Sequence, residues 1–172
     1  MADYTNSWTI LDPKMRVQGI AVVSTVQNHP LGTRVKARDD GTGNFGEAEF
    51  IYLPGVASCA VGSWVTYYPD NWATLRLAAN AIAPVAVAMA AVNATTSYGW
   101  FQVFGKAVGL ALAGYADNGL VYATATAGSV DDAAVAGDRV KCALGASAID
   151  HPDTGFAEFE IAYPYMDDGS AA

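Results

Sequence analysis

Hydrophobic positions recur with a period of two through much of the chain. Val85-Ala86-Val87-Ala88-Met89 alternates large and small side chains, placing Val85, Val87 and Met89 on one face of a strand. An Ala-rich helix starting at Pro84 competes, since Ala favours helix and Pro suits a first turn. The β-branched valines at every second position favour the strand. Tyr98 to Val108 reads as a strand with Gly99, Gly105 and Gly109 marking bends or bulges. Leu120 to Ala127 alternates again, with Val121, Ala123 and Ala125 opposite Tyr122, Thr124 and Thr126. Turn signals at Asp39-Asp40-Gly41, Pro69-Asp70-Asn71, Asp117-Asn118-Gly119 and Asp153-Thr154-Gly155 separate such runs. Helix is scarce; Ser129 to Ala136, with Asp131 and Asp132 near its start, is the one stretch expected to supply a turn or two. The expected fold is mainly β: a small β-barrel or β-sandwich.

The chain also repeats itself. Gly32-Thr33-Arg34-Val35-Lys36-Ala37 is matched by Gly137-Asp138-Arg139-Val140-Lys141-Cys142, and Gly46-Glu47-Ala48-Glu49-Phe50-Ile51 by Gly155-Phe156-Ala157-Glu158-Phe159-Glu160. Each copy reads strand, polar loop, strand, and Gly62-Ser63-Trp64-Val65 weakly echoes the opening. Either one stable hairpin is used twice, or a duplication left two related β units. Residues 17–168 form the expected β-rich body, 1–16 an extended arm and 169–172 a frayed tail. Tyr4, Trp8, Ile10, Leu11 and Met15 put large apolar side chains on that arm, with Pro13 interrupting any helix. They need a surface to cover: the protein's own core or a neighbouring subunit.

Composition removes several classes of function. Nine Lys plus Arg against seventeen Asp plus Glu give 172 residues a net charge of −8, which repels a phosphate backbone; no nucleic-acid partner is expected. The apolar content of 52% excludes disorder. Residues 1–6 carry an acid where a signal peptide needs a base. Leu77 to Gly105 is uncharged but rich in Ala and broken by Asn, Pro and Thr, so no membrane span is expected. Cys59 and Cys142 could form one bridge, although Cys142 reads as a small core residue of its strand.

Motifs for chemistry are few. Gly41-Thr42-Gly43-Asn44-Phe45-Gly46 has the dinucleotide-binding spacing, but acids flank it and a strand follows instead of a helix, so a hairpin loop is expected. Asp153-Thr154-Gly155 matches the aspartic-peptidase triplet and equally an ordinary turn. Glu47/Glu49 and Glu158/Glu160 are carboxylate pairs two residues apart. They are expected to face solvent, with Glu49 and Glu158 meeting Arg34 or Arg139 across a strand pair. His29 and His151 precede prolines, and no third His exists for a zinc site. We expect no cofactor, no metal and no catalytic residue. A sugar-binding alternative rests on Tyr67, Tyr68 and Trp72 around the Pro69 turn.

One resemblance spans Val17 to Asp168. The runs Ile51-Tyr52-Leu53-Pro54-Gly55-Val56-Ala57, Val61 to Tyr67, Tyr98-Gly99-Trp100-Phe101-Gln102-Val103 and Ala116 to Ala133 resemble small structural proteins of tailed bacteriophages, the head decoration or capsid cement proteins. The resemblance implies a non-enzymatic virion protein on the outer surface of the mature capsid, assembled in the host bacterial cytoplasm and stabilising the junctions between capsomers. Its partners would be the major capsid protein and itself, as a homotrimer at local threefolds or a dimer at local twofolds. The alternative class is a virion-displayed or tail-associated β-sandwich that binds host glycans. On the cement reading, the N-terminal arm lies across a capsid subunit.

Overall fold

The computed structural model describes residues 7–167. In chain order the strands are β1 (Trp8–Ile10), β2 (Arg34–Asp39), β3 (Glu47–Pro54), β4 (Trp64–Tyr68), β5 (Ala73–Arg76), β6 (Ala83–Ala88), β7 (Tyr98–Leu110), β8 (Leu120–Ala123), β9 (Val130–Asp131), β10 (Arg139–Gly145) and β11 (Phe156–Met166). The one described helical element is a single 3-10 turn, Pro13–Met15, capped by the Asp12 side chain. All strand ladders are antiparallel and join in one sheet, β1-β2-β3-β7-β6-β11-β10-β8-β9, with β4 and β5 branching from β6. The sheet ends at β1 and β9 without closing, which makes the fold sandwich-like rather than a barrel.

β7 is the spine. From Tyr98 to Phe104 it pairs with β3, and from Phe104 to Leu110 with β11. The two repeat copies are therefore the hairpins β2–β3 and β10–β11, each docked through its second strand on one half of β7. Equivalent phenylalanines meet a tryptophan edge-on in both: Phe50 on Trp8 at 5.0 Å between centroids, Phe159 on Trp64 at 4.9 Å. The glycine that opens each copy has a tight-turn role. Thr33 N–H bonds to Pro30 O and Asp138 N–H to Val135 O, with Gly32 and Gly137 at φ +79 and +81. Such a turn needs positive φ at its third residue, which glycine adopts without strain. Gly62 and Gly128 build the same turn before β4 and β9, so the weak echo at Gly62 shares its turn with both repeat openings.

Three hydrophobic clusters divide the interior. β6 serves two of them: Val85 and Val87 face Trp64, Phe159 and Ile161, while Ala86 and Ala88 face Val65, Phe101 and Leu53. The strand at 85–88 is as expected, but Met89 leaves it and joins a third cluster around Phe50, Tyr52 and Trp100. Among the glycines of β7 only Gly105 takes positive φ, at +98, just past the register slip of β7 against β3. Gly109 instead permits close approach, because a Cβ there would press on the Trp64 indole nitrogen at 2.5 Å.

Two expectations need correction. Ser129 to Ala136 holds no helix: Gly128 and Gly137 make turns at both ends, Val130 is fully buried in β9, and the Asp132 carboxylate accepts from Ala116 N. The stretch before Val17 is not a free arm over residues 7–16. β1 pairs with β2, Trp8 against Asp39 and Ile10 against Ala37, and Ile10 is buried. Trp8 and Met15 pack on the same third cluster. Of the two surfaces these side chains could cover, Trp8, Ile10 and Met15 cover their own core, while Leu11 stays exposed.

Candidate functional site

The motifs read for chemistry fall into structural roles. The glycine-rich stretch at 41–46 is the β2–β3 hairpin loop, closed by the Asp39 carboxylate accepting from Gly41 N at 2.9 Å and Phe45 N at 3.0 Å. Asp153 accepts from the following Thr154 N in an exposed turn. Glu49 meets Arg34 at 3.6 Å on the diagonal of the β2–β3 pair, Lys36 being directly opposite, and accepts from the Tyr163 hydroxyl at 2.9 Å. Glu158 departs from expectation. It is 5% exposed rather than solvent-facing, and its partners are Lys106 at 2.7 Å and His151 at 3.6 Å, not Arg139. Register explains this, because β11 lies against β7 on that side and brings Val108 and its neighbour Lys106 alongside.

The cysteines do not pair, and Cys142 is not the core residue expected. Cys59 is the buried one, its thiol pushed up to about 11 by desolvation, whereas Cys142 sits at a bulge of β10 with its side chain exposed. Among the described residues no group of three or more His, Cys, Asp or Glu could hold a metal. No described helix is long and apolar enough to cross a membrane. Two of the three aromatics considered for sugar binding are engaged within the protein: Tyr67 is buried and stacks on Trp72 at 6.5 Å, and the Trp72 ring covers Gly32, while Tyr68 is half-buried.

The capsid-contact candidates separate in the same way. Trp8, Ile10 and Met15 are internal, Leu11 is 38% exposed, and Tyr4 lies outside the described residues. The surface that stands out lies just beyond them. No charged residue occurs between Arg16 and Arg34, and in that stretch Val17, Val22, Val23 and Val26 are 40–70% exposed. This segment has no regular structure apart from a bridge between Ser24 and Tyr98, yet it is held firmly. Gln18, 2% exposed, donates through Nε2 to Val22 O at 2.7 Å and Tyr98 O at 3.0 Å. Its Oε1 accepts from the Tyr52 hydroxyl at 2.7 Å and Asn28 Nδ2 at 2.9 Å. Trp100 Nε1 donates to Gln18 O, and Ile20 and His29 are buried beneath. One amide thus saturates its hydrogen bonds in pinning the loop to β3 and β7, which leaves the valines pointing outward.

A second surface is the outer face of β8-β10-β11-β7. Leu120 opposes Leu144, which opposes Glu160, which opposes Lys106, in one row across four strands. Phe104, Leu120 and Leu144 are each about two-fifths exposed there. The face is creased into a cleft of about 670 Å³ between the Phe45 end of the β2–β3 loop and the start of β10.

Comparison with protein-family models, with curated proteins and with solved structures finds no match to this chain. What the molecule can do is therefore argued from its two surfaces. Neither offers a nucleophile held by a base. Both offer apolar side chains on a body stiffened by buried aromatic rings and hydrogen bonds. The valine loop was missed in the sequence because its valines follow no period. The signal that could have found it is the uncharged run itself, on a chain of net charge −8.

Proposed function

We propose that the protein is a non-enzymatic virion structural protein, a decoration or cement protein that binds the outer surface of a mature tailed-phage capsid between capsomers and stabilises it. The observation that carries this reading is the valine loop: an uncharged, outward-facing apolar surface stapled by Gln18 on an otherwise acidic molecule. Burying a half-exposed valine returns roughly 1 kcal/mol, so Leu11, Val17, Val22, Val23 and Val26 together suit a modest contact. Repeated at every equivalent site of a shell, a modest contact holds a coat without one very tight interface. The loop's rigidity matters because a pre-ordered surface loses little conformational entropy on docking. Since Trp8, Ile10 and Met15 are engaged in the core, the shell-facing role passes from the N-terminal arm to this loop. The partner is the major capsid protein. The resemblance along Val17 to Asp168 supports the same assignment. The glycan-display alternative loses two of its three aromatics to internal packing of Tyr67 and Trp72.

The test uses heads that lack the protein, mixed with purified wild type or with Val22→Asp/Val26→Asp. Both positions are exposed, so the variant is expected to melt like wild type and to lose head binding by at least tenfold. Full occupancy by the double variant would reject the docking surface. Unchanged thermal and osmotic resistance of heads with and without bound wild type would reject the cement role itself.

A further inference from the structure

The cleft on the outer sheet face is made by a coincidence of three irregularities. β7, β11 and β10 each carry one residue at positive φ: Gly105 at +98, Tyr163 at +52 and Cys142 at +59. Gly105 pairs with Ile161, and Ile161 with Ala143, so the three sit within two residues of a single line across the sheet. Two of them are not glycine, and a tyrosine and a cysteine in the left-handed region are strained. Strand register also slips beside them, between Lys141 and Ala143 of β10 against β11 and between Glu49 and Phe50 of β3 against β7.

What the crease exposes is unusual for this molecule. The inner face of the same strands is already the core, with Val140, Phe159 and Ile161 buried. An antiparallel sheet with one face on the core ordinarily turns polar side chains to water on the other. This one turns out Phe104, Leu120 and Leu144. The charges lining the cleft are Glu47 and Glu160 against Lys106 and Arg139, two of each sign, on a chain whose net charge is −8. Lys106 is already paired with the buried Glu158 at 2.7 Å, which leaves Glu47 and Glu160 facing Arg139 across the cleft. The signs are also distributed, with Glu47 on the β3 wall and Arg139 on the β10 wall. A twofold axis brings one wall of a patch against the opposite wall of its mate.

We propose that the creased face is a twofold interface between two copies of this chain, with Leu120, Leu144 and Phe104 at its centre and Arg139 of each copy opposite Glu47 of the other. The proposal deepens the decoration reading: it names the self-contact, while the valine loop remains the shell contact.

Analytical ultracentrifugation of the purified full chain over a range of concentrations tests it. Wild type is expected to sediment as a dimer at micromolar concentration. Leu144→Asp is expected to shift the dimer–monomer midpoint at least tenfold upward while the thermal melt stays in place. Arg139→Glu should dissociate the dimer, and Arg139→Glu with Glu47→Arg should restore it. Because Cys142 lines the same face and Cys59 is buried, a short bismaleimide should also link wild-type chains in pairs and fail to link Leu144→Asp. A wild type that stays monomeric at high micromolar concentration, or an oligomer that survives Leu144→Asp and Arg139→Glu unchanged, overturns the proposal. The two readings fail separately. A monomer that still coats heads leaves the decoration role standing without this interface, and a dimer that never binds heads does the reverse.

Discussion

Replacing Gln18 with Leu probes the staple under the valine loop. Leucine nearly matches glutamine in volume, so the change removes hydrogen bonds without opening a cavity. Four bonds disappear, to Val22 O, Tyr98 O, the Tyr52 hydroxyl and Asn28 Nδ2. Their partners do not suffer equally. Tyr98 O keeps Ser24 N, while Val22 O and the half-buried Asn28 amide lie close enough to the surface to turn to water. Tyr52 is fully buried, and its hydroxyl oxygen still accepts from Asn28 N, but its proton is left with no acceptor. One orphaned buried donor costs about 1–3 kcal/mol and each exchanged bond about 0.5–1.5. Against this, the extra apolar burial of leucine returns about 1 kcal/mol. The net loss is about 2–4 kcal/mol, and for a chain of this size the melting temperature should fall by roughly 5–12 °C. Hydrogen exchange should rise first over residues 17–33 and leave β10 and β11 protected. Thr25→Ala, on the exposed side of the same loop, should change stability by less than about 0.5 kcal/mol. A Gln18→Leu protein that melts within a degree of wild type, with unchanged exchange in the loop, would refute the idea that this amide holds the surface in place.

Other consequences can be checked with the same protein. Ile10→Ala empties a buried site under β1 and should cost about 2–5 kcal/mol, so deleting residues before Arg16 should destabilise the body itself; equal stability of the truncated chain by denaturant titration would contradict the integration of β1. Burial holds the His29 imidazole below its ordinary value of 6.5, and its Nε2 is buried with no partner among the described residues. As pH drops through 6.5 the unfolded chain takes up the proton before the folded one, so stability should decline on acidification. His29→Phe, which keeps the edge-on contact with Tyr52 and the tilted one with Trp100, should flatten that part of the profile, and an unchanged slope would show that other groups cause it. Thiol titration at pH 8 should find Cys142 reactive and Cys59 inert until denaturant is added; two fast thiols in the folded protein would contradict the burial of Cys59.

Much of the strand inventory was legible because alternation is a local property. Val85 to Ala88, Tyr98 to Val108 and the two Arg-Val-Lys hairpins declare themselves through neighbours two residues apart, and the glycine before each hairpin marks a turn that only positive φ can close. Even the Arg34–Glu49 pair follows from hairpin register. Relations set by distant strands could not be read this way. Glu158 looks like a solvent-facing acid until β11 is laid against β7, which buries it and supplies Lys106. Cys142 continues an apolar alternation until a bulge turns it outward. Trp8 and Ile10 look like an unoccupied arm until β2 offers an edge more than 25 residues away.

The candidate surfaces divide along the same line. Composition along the chain already made Val17 to Thr33 uncharged on an acidic molecule, a property it shares with Leu77 to Gly105. Which of its apolar side chains would be buried and which displayed was decided by Gln18 finding acceptors and donors on Tyr52, Tyr98 and Asn28, up to 80 residues distant. The crease on the other face exists only in three dimensions, because its three positive-φ residues line up only after three strands have paired. Periodicity is encoded between neighbours; alignment across a sheet is encoded nowhere until the chain has folded.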